Sequence, residues 1–125
     1  MKFEEVTGEI VDGAITVHSA LGPGLLESAY EVCLAAELCG RGLQVARQVS
    51  LPVVYAGERV DLGYRIDLLV ADQVIVEIKA VTVLTDVHRA QLLSYLRLSG
   101  KGVGLLLNFH VHHMREGITR LVSGW

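Results

Sequence analysis

Two charged side chains interrupt the stretch VIVEIKAV, residues 74–81, which otherwise consists of apolar and mostly β-branched residues. Such a composition predicts a β-strand. Side chains alternate between the two faces of a strand, so Glu77 and Lys79 share one face while Val76 and Ile78 share the other. A carboxylate and an ammonium group placed together could form a surface ion pair or part of a catalytic site.

A third charged residue, Asp67, lies in the preceding run RVDLGYRIDLLV, residues 59–70, which also predicts a strand. Residues 71–72 form a short hairpin turn between the two strands. With a two-residue turn, paired residue numbers sum to 143, and Asp67 lies opposite Val76, one place from Glu77. With a three-residue turn, the sum is 144 and Asp67 lies directly opposite Glu77. Either register brings the two carboxylates close together.

Two adjacent carboxylates with a lysine beside them could bind a metal ion. Opposed Cβ atoms lie about 5 Å apart, so the carboxylates repel each other unless a cation lies between them. Hard oxygen ligands suit Mg²⁺ or Mn²⁺, and the backbone carbonyl of Ile78 is a further ligand of this kind. Lys79 could hold a metal-bound water or a phosphate oxygen. The alternative is an ion pair between Lys79 and Glu77 or Asp67 on a half-exposed sheet.

A predicted helix over residues 86–99 carries three polar side chains on one stripe, at positions i, i+3 and i+7: His88, Gln91 and Tyr95. A polar stripe usually faces solvent. Gln91 and Tyr95, however, lie within AQLLSYLRL, where most neighbours are apolar. This setting favours a role beyond that of a solvated surface.

Glu27 lies near the start of another predicted helix, over residues 25–41, in the stretch GPGLLESAY. A glutamate at such a position commonly just favours the helix dipole. Glu27 also precedes Tyr30 by three residues and Leu34 by seven, so it borders the apolar stripe and need not face water.

The remaining patterns place these segments in an α/β fold. Apolar residues recur at steps of three and four over residues 2–21, which predicts a first helix. Strands are predicted over residues 44–57, 59–70, 73–81, 103–109 and 117–122. The order ααβββαβ(β) predicts a central mixed sheet flanked by helices, in a single domain over residues 1–125.

Taken together, these residues resemble the PD-(D/E)XK nuclease superfamily. Its pattern is a helical glutamate, an aspartate on one strand, D/E-x-K on the next strand, and then a helix. Gln91 and Tyr95 resemble the QxxxY element of its RecB-like and lambda-exonuclease-like branches, and GLLESAY, residues 24–30, is similar to the signature of the GxxExxY family. The resemblance covers nearly the whole chain, although Ile66 stands where the pattern often has proline.

The resemblance implies a restriction-endonuclease-like core and metal-dependent hydrolysis of phosphodiester bonds. It implies that Asp67, Glu77 and Glu27 ligate Mg²⁺ or Mn²⁺, together with the carbonyl of Ile78, and that Lys79 positions the attacking water. The implied catalytic residues are Glu27, Asp67, Glu77, Lys79 and Gln91.

Four further residues, Tyr95, Tyr30, His88 and Arg65, are expected to support this site. Tyr95, together with Gln91, would support it directly or contact the nucleic-acid backbone, and Tyr30 is part of the GxxExxY signature. His88 could contribute to the site or have a plain structural role. Arg65 could contact a phosphate or form a salt bridge with Asp67 or Glu77.

Composition and charge limit the class of protein. Eleven Lys and Arg residues against fourteen Asp and Glu give a net charge of −3, which counts against a strongly basic nucleic-acid-binding surface. Cys33 and Cys39 form neither a metal motif nor a disulfide framework, so we expect two buried free thiols. Without a visible secretory signal or membrane span, we expect a cytoplasmic protein that does not enter membranes. Apolar helical faces predict a homodimer.

Two functions are compatible with these observations. The first is a Mg²⁺- or Mn²⁺-dependent nuclease whose partner is nucleic acid, with DNA expected before RNA. The alternative is a nuclease-like, non-catalytic module that binds or regulates a partner protein. Small size, acidic charge and the lack of an appended nucleic-acid-binding region favour this alternative.

Overall fold

Three α-helices and seven strands form the computed structural model, which describes residues 1–124. The helices are α1 (Phe3–Leu21), α2 (Glu27–Gly40) and α3 (Asp86–Ser99), and a short 3-10 helix spans Met114–Gly117. The strands are β1 (Val45–Ser50), β2 (Val53–Tyr55), β3 (Glu58–Val60), β4 (Arg65–Val70), β5 (Val74–Lys79), β6 (Val103–Asn108) and β7 (Ile118–Val122). Within this part of the chain, no helix has the length and hydropathy needed to cross a membrane.

Five of the strands form the central sheet, in the order β1-β4-β5-β6-β7. β5 and β6 are parallel, and α3 provides the crossover between them. The other neighbouring strands are antiparallel, so the sheet is mixed. The predicted α/β fold is confirmed and is consistent with a restriction-endonuclease-like core.

Two apolar cores cover the two faces of the sheet, and β5 contributes to both. Val76 and Ile78 lie in the core formed with α1 and α2. Ile75 lies in the core formed with α3. Because side chains alternate along a strand, Glu77 and Lys79 share the face that α3 covers. The predicted separation of charged and apolar residues in this strand is therefore confirmed.

Two of the predicted strands are longer than the strands observed. The run 44–57 divides into β1 and β2, and the run 59–70 divides into β3 and β4. Pro52 has no N–H to donate to a ladder, and Gly63 has a φ of 83°, which regular strands do not adopt. Among residues 1–124, β2 and β3 pair only with each other and form a separate two-stranded ribbon, residues 53–60.

α3 packs closely on β6 because one residue of the strand has no side chain. At Gly104, a Cβ atom would lie 2.8 Å from Cδ1 of Leu92, closer than side-chain carbons approach each other. Leu92 is fully buried at this contact. The glycine therefore sets the distance between α3 and the sheet, and so the height of α3 above β5.

The expectation that both cysteines are buried was wrong. Cys39 is exposed and Cys33 is half-buried. Cys39 lies in the last turn of α2, one residue after Leu38, the last buried residue of that helix. Among residues 1–124, both thiols are free.

Candidate active site

The hairpin of β4 and β5 adopts the register that places Asp67 opposite Glu77. The observed pairs are Leu68 with Val76, Leu69 with Ile75, and Val70 with Val74. Their numbers sum to 144, so the connection is the three-residue turn. The N–H of Gln73 donates to the carbonyl of Val70 at 3.0 Å, which closes this turn.

Where the backbone ladder between β4 and β5 ends, the two carboxylates accept the next main-chain hydrogen bonds. Beyond Leu68 and Val76, the N–H of Asp67 donates to Oε2 of Glu77 at 2.9 Å. The N–H of Ile78 donates to Oδ2 of Asp67 at 2.8 Å. Each carboxylate therefore accepts a hydrogen bond from the main chain of the opposite strand. The hairpin itself thus sets the positions of both carboxylates.

Burial makes the ionised form of this pair costly. Glu77 is 3% exposed. Burial first, and then the negative charge of Asp67, raises the pKa of Glu77 from its ordinary 4.5 to about 8. Burial also raises the pKa of Asp67, against the opposing effect of the Ile78 N–H. At neutral pH, a second negative charge on the pair is therefore disfavoured unless positive charge compensates it.

Lys79 is held by α3 and not by the carboxylates. Its Nζ donates to Oε1 of Gln91 at 3.1 Å, and Nε2 of Gln91 donates to the hydroxyl of Tyr95 at 3.3 Å. Within residues 1–124, Lys79 forms no salt bridge, so the predicted alternative of a surface ion pair is not what the structure shows. Its charge still lowers the pKa of Glu77, although less than burial raises it.

Glu27 lies at the end of β5, but it does face water. It is the first residue of α2 and is exposed. Its Oε2 accepts the N–H of Ala80, the residue after β5, at 3.2 Å. The start of α2 is thus tied to the strand that carries Glu77 and Lys79.

With this geometry established, comparison with known proteins identifies the family. A family model for the PD-(D/E)XK nuclease superfamily matches residues 4–121 of the sequence. The chain belongs to the PD-(D/E)XK nuclease superfamily. A search of curated proteins returned no match, and a search of solved structures returned none either. The domain is therefore nuclease-like.

This PD-(D/E)XK domain contains a second buried glutamate that the sequence analysis missed. Glu31, one turn after Glu27, is 7% exposed. Its Oε2 accepts from Nε and the terminal amino group of Arg47, at 3.2 and 3.0 Å. Its Oε1 accepts from Nε2 of Gln48 at 2.6 Å. The same nitrogen lies 3.4 Å from Oδ1 of Asp67, so Gln48 connects Glu31 to the carboxylate pair.

Gln48 reaches Asp67 from an unusual backbone conformation. Its φ is 51°, although it lies inside β1. The ladder with β4 pairs Arg47 with Leu68 and Val49 with Ile66, and it omits Gln48 and Asp67 between them. A non-glycine residue in this region costs about 1–3 kcal/mol, and such residues concentrate at functional sites. The strain marks the point where β1 contributes to the site.

Asn108 is a second residue that the sequence analysis missed. It ends β6, opposite Lys79, and is 3% exposed. Its side chain accepts the N–H of Val81 at 3.1 Å and donates to the carbonyl of Val81 at 2.9 Å. The segment that leaves β5 is thereby held against β6, which keeps Lys79 in place from its C-terminal side.

Tyr30 holds the loop between α1 and α2 and packs in the apolar core. Its hydroxyl donates to the carbonyl of Gly22 at 2.5 Å and accepts the N–H of Leu25 at 3.1 Å. Its ring is fully buried and stacks on Phe109, with centroids 4.5 Å apart. Tyr30 therefore shapes the loop that leads into Glu27 and does not reach the carboxylates through its hydroxyl.

The two weaker candidates lie at the edge of the site. Nδ1 of His88 accepts the N–H of Thr85 at 3.0 Å, which caps the start of α3. The guanidinium of Arg65 donates to the hydroxyl of Ser50 at 3.2 Å, and no salt bridge to Asp67 or Glu77 is present among residues 1–124. The structure thus gives His88 a structural contact and leaves Arg65 exposed beside the hairpin.

The donor set fits a cation that keeps much of its water. Among residues 1–124, no three His, Cys, Asp or Glu side chains converge on a point that could hold a metal ion. Two carboxylates do lie together, and both have raised pKa values. Mg²⁺ is usually bound by one or two carboxylates with water and substrate phosphate as the other ligands. The residues present therefore fit Mg²⁺ or Mn²⁺, and they do not fit a closed protein cage.

Proposed function

We propose that this chain is a Mg²⁺- or Mn²⁺-dependent nuclease that hydrolyses phosphodiester bonds, in DNA before RNA. The observation that carries the proposal is the buried pair of Asp67 and Glu77 with Lys79 beside it, in a member of the PD-(D/E)XK superfamily. Structure alone would disfavour such a pair, because burial and like charge both oppose its ionisation. A bound divalent cation would compensate the two negative charges and so stabilise the ionised pair.

Asp67 and Glu77 would hold the cation, and the carbonyl of Ile78 and the carboxylate of Glu27 would be its further protein ligands. A bound Mg²⁺ or Mn²⁺ would supply Lewis acidity to the phosphoryl group and to the attacking water. The main-chain donors to Asp67 and Glu77 keep both carboxylates oriented before the cation arrives.

Lys79 would provide the fixed positive charge of the reaction. Gln91 accepts one of its three N–H bonds, which leaves two for the attacking water or a phosphate oxygen. Tyr95 holds Gln91, so a chain of hydrogen bonds from α3 orients the ammonium group. We propose Arg65, which is exposed beside the hairpin, as a contact to the nucleic-acid backbone.

Several finer expectations stay predictions. These are membership of the GxxExxY family and of the RecB-like branch, a cytoplasmic location and a homodimer. Light scattering tests the last of them, since a homodimer has twice the chain mass of 13.6 kDa.

Cleavage of labelled single- and double-stranded DNA and RNA, with Mg²⁺ or Mn²⁺, tests the proposed function. We expect Asp67→Asn and Lys79→Met to lower the rate by more than about 100-fold and EDTA to abolish it. Lys101→Met is the matched control, because Lys101 pairs with Asp72 in the hairpin turn. Equal cleavage by wild type and both site variants would contradict the proposal. An inactive wild-type protein would favour the non-catalytic module.

A further inference from the structure

A pocket of about 500 Å³ lies between the end of α1 and the loop that follows β6. His18, Ser19 and Pro23 line one side, and His112, His113 and Arg115 line the other. The nuclease mechanism uses none of these residues.

The pocket is rich in hydrogen-bond donors and contains one permanent cation. Arg115 supplies a permanent positive charge, His112 and His113 supply imidazoles, and Ser19 supplies a hydroxyl. No carboxylate is among the lining residues, and the neighbouring Glu116 is exposed outside it. Within residues 1–124, Arg115, His112 and His113 form no salt bridge. In a chain with a net charge of −3, one guanidinium and several neutral donors without a lining carboxylate suit an oxyanion.

The loop that presents these groups is anchored at several points. Nε2 of His18 donates to the carbonyl of Val111 at 2.7 Å. Met114 is 4% exposed and belongs to the apolar core. Gly117 packs against the carbonyl of Asn108 so closely that no Cβ atom would fit. The backbone that carries the donors is therefore held in place before a ligand binds, which lowers the entropy cost of ordering the loop.

The pocket and the candidate active site share one end of the sheet. The N–H of Phe109, which begins the loop, donates to the carbonyl of Lys79 at 2.9 Å. On the other wall, the hydroxyl of Tyr30 holds Gly22, and the chain runs from there into Glu27. Both walls of the pocket are thus continuous with residues of the carboxylate site.

We propose that this pocket binds a phosphate group of the nucleic-acid strand, at a position away from the bond that is cut. The proposal rests on the proposed function for its ligand. A metal ion is disfavoured as the occupant, because Arg115 brings a permanent positive charge to the pocket and no carboxylate lines it. A planar guanidinium with imidazole and hydroxyl donors is instead well matched to phosphate oxygens.

Binding of a labelled single-stranded oligonucleotide, measured by fluorescence anisotropy in EDTA, tests the proposal without any cleavage. We expect Arg115→Gln to weaken binding about 10-fold. It should also make the negative slope of log K against log salt shallower by about 0.7, as for one lost phosphate contact. His112→Gln/His113→Gln should weaken binding in the same direction. Arg120→Gln on β7 makes the same change in charge at another pocket and should leave the affinity within about 2-fold. Equal weakening by Arg115→Gln and Arg120→Gln would overturn the proposal.

Titration with inorganic phosphate, followed by the imidazole NMR signals of His112 and His113, separates the sources of phosphate. We expect phosphate to shift these signals in wild type and not in Arg115→Gln, and the oligonucleotide to compete. If phosphate binds and the oligonucleotide does not compete with it, the pocket binds a free phosphate compound. That result would overturn the role of the pocket in strand binding. Strand binding that depends on Arg115 in a protein that does not cleave would refute the nuclease function and leave the pocket supported.

Discussion

Gln48 is the residue whose role is least expected from its type. Its single amide group reaches both Glu31 and Asp67, and it does so at a positive φ within a strand. Such strain is retained where surrounding contacts outweigh it. We infer that the backbone at Gln48 is strained so that its side chain can position Asp67.

Two substitutions distinguish the positioning of Asp67 by Gln48 from an effect on the stability of the fold. Gln48→Ala and Gln48→Gly both remove the amide, so we expect both to lower kcat about 10-fold with KM within about 3-fold. Glycine adopts positive φ without a Cβ penalty, so Gln48→Gly should be about 1 kcal/mol more stable than Gln48→Ala. Urea unfolding and steady-state kinetics measure the two effects. Wild-type kcat in both variants would rule out the positioning role.

At the residue scale, the sequence allowed prediction of the charged face but not of all its neighbours. Alternation along β5 placed Glu77 and Lys79 together, and the hairpin brought in Asp67. Glu31 could have been found, because it lies on the same helical face as Leu34 and Ala35, which are buried. The site role of Gln48 could not, since no sequence pattern announces a positive φ in a strand.

At the scale of elements, the turn decides the register of the hairpin. Ala71 and Asp72 both have positive φ, 53° and 55°. Alanine rarely adopts this conformation, so the sequence left two registers open. The break between β1 and β2 could have been predicted, because Pro52 cannot donate to a ladder, although the run 44–57 by its pattern predicts one strand.

The contact between α3 and β6 gives a prediction at this scale. Gly104→Ala places a Cβ against buried Leu92, so we expect a loss of roughly 1–3 kcal/mol in the free energy of unfolding. Because α3 carries Gln91, nuclease activity should fall as well. Gly102→Ala is the control, since nothing lies within 4 Å of its Cβ position. Equal stability of the two variants in urea would show that α3 does not depend on this close contact.

At the scale of the whole molecule, the buried carboxylates should make stability depend on pH. The folded state raises the pKa of Glu77 from 4.5 to about 8, so it favours the protonated form. The corresponding stability is fully present below pH 4.5 and is lost as pH rises through about 8. Asp67 acts in the same direction, because its pKa is also raised.

We therefore expect the metal-free protein in EDTA to lose on the order of a few kcal/mol of stability between pH 5.5 and 8.5. Glu77→Gln cannot ionise and should lose much less over this range. Thermal unfolding at a series of pH values measures the difference, and the five histidines are common to both proteins. The same pH slope in both would show that Glu77 does not carry the effect.

The fold as a whole was more predictable than the surfaces it creates. Apolar patterning predicted all three helices and placed each strand of the central sheet within a predicted run, although β1 and β7 have no fully buried residue. The phosphate pocket was not predictable, because His18 and Arg115 are far apart in sequence and meet only through the packing of α1 on the loop after β6. Local patterns carry no information about such contacts.

The central claim is that Asp67 and Glu77 form a site for a divalent cation, and calorimetric titration with Mn²⁺ tests it most directly. Unlike cleavage, this measurement does not require the right substrate. Glu4→Gln serves as the control, because Glu4 is exposed in the first turn of α1 and the variant makes the same change in charge. We predict millimolar or tighter binding by wild type and Glu4→Gln, and at least about 10-fold weaker binding by Glu77→Gln. Binding by Glu77→Gln as tight as that of wild type, or no binding by wild type, would contradict the account.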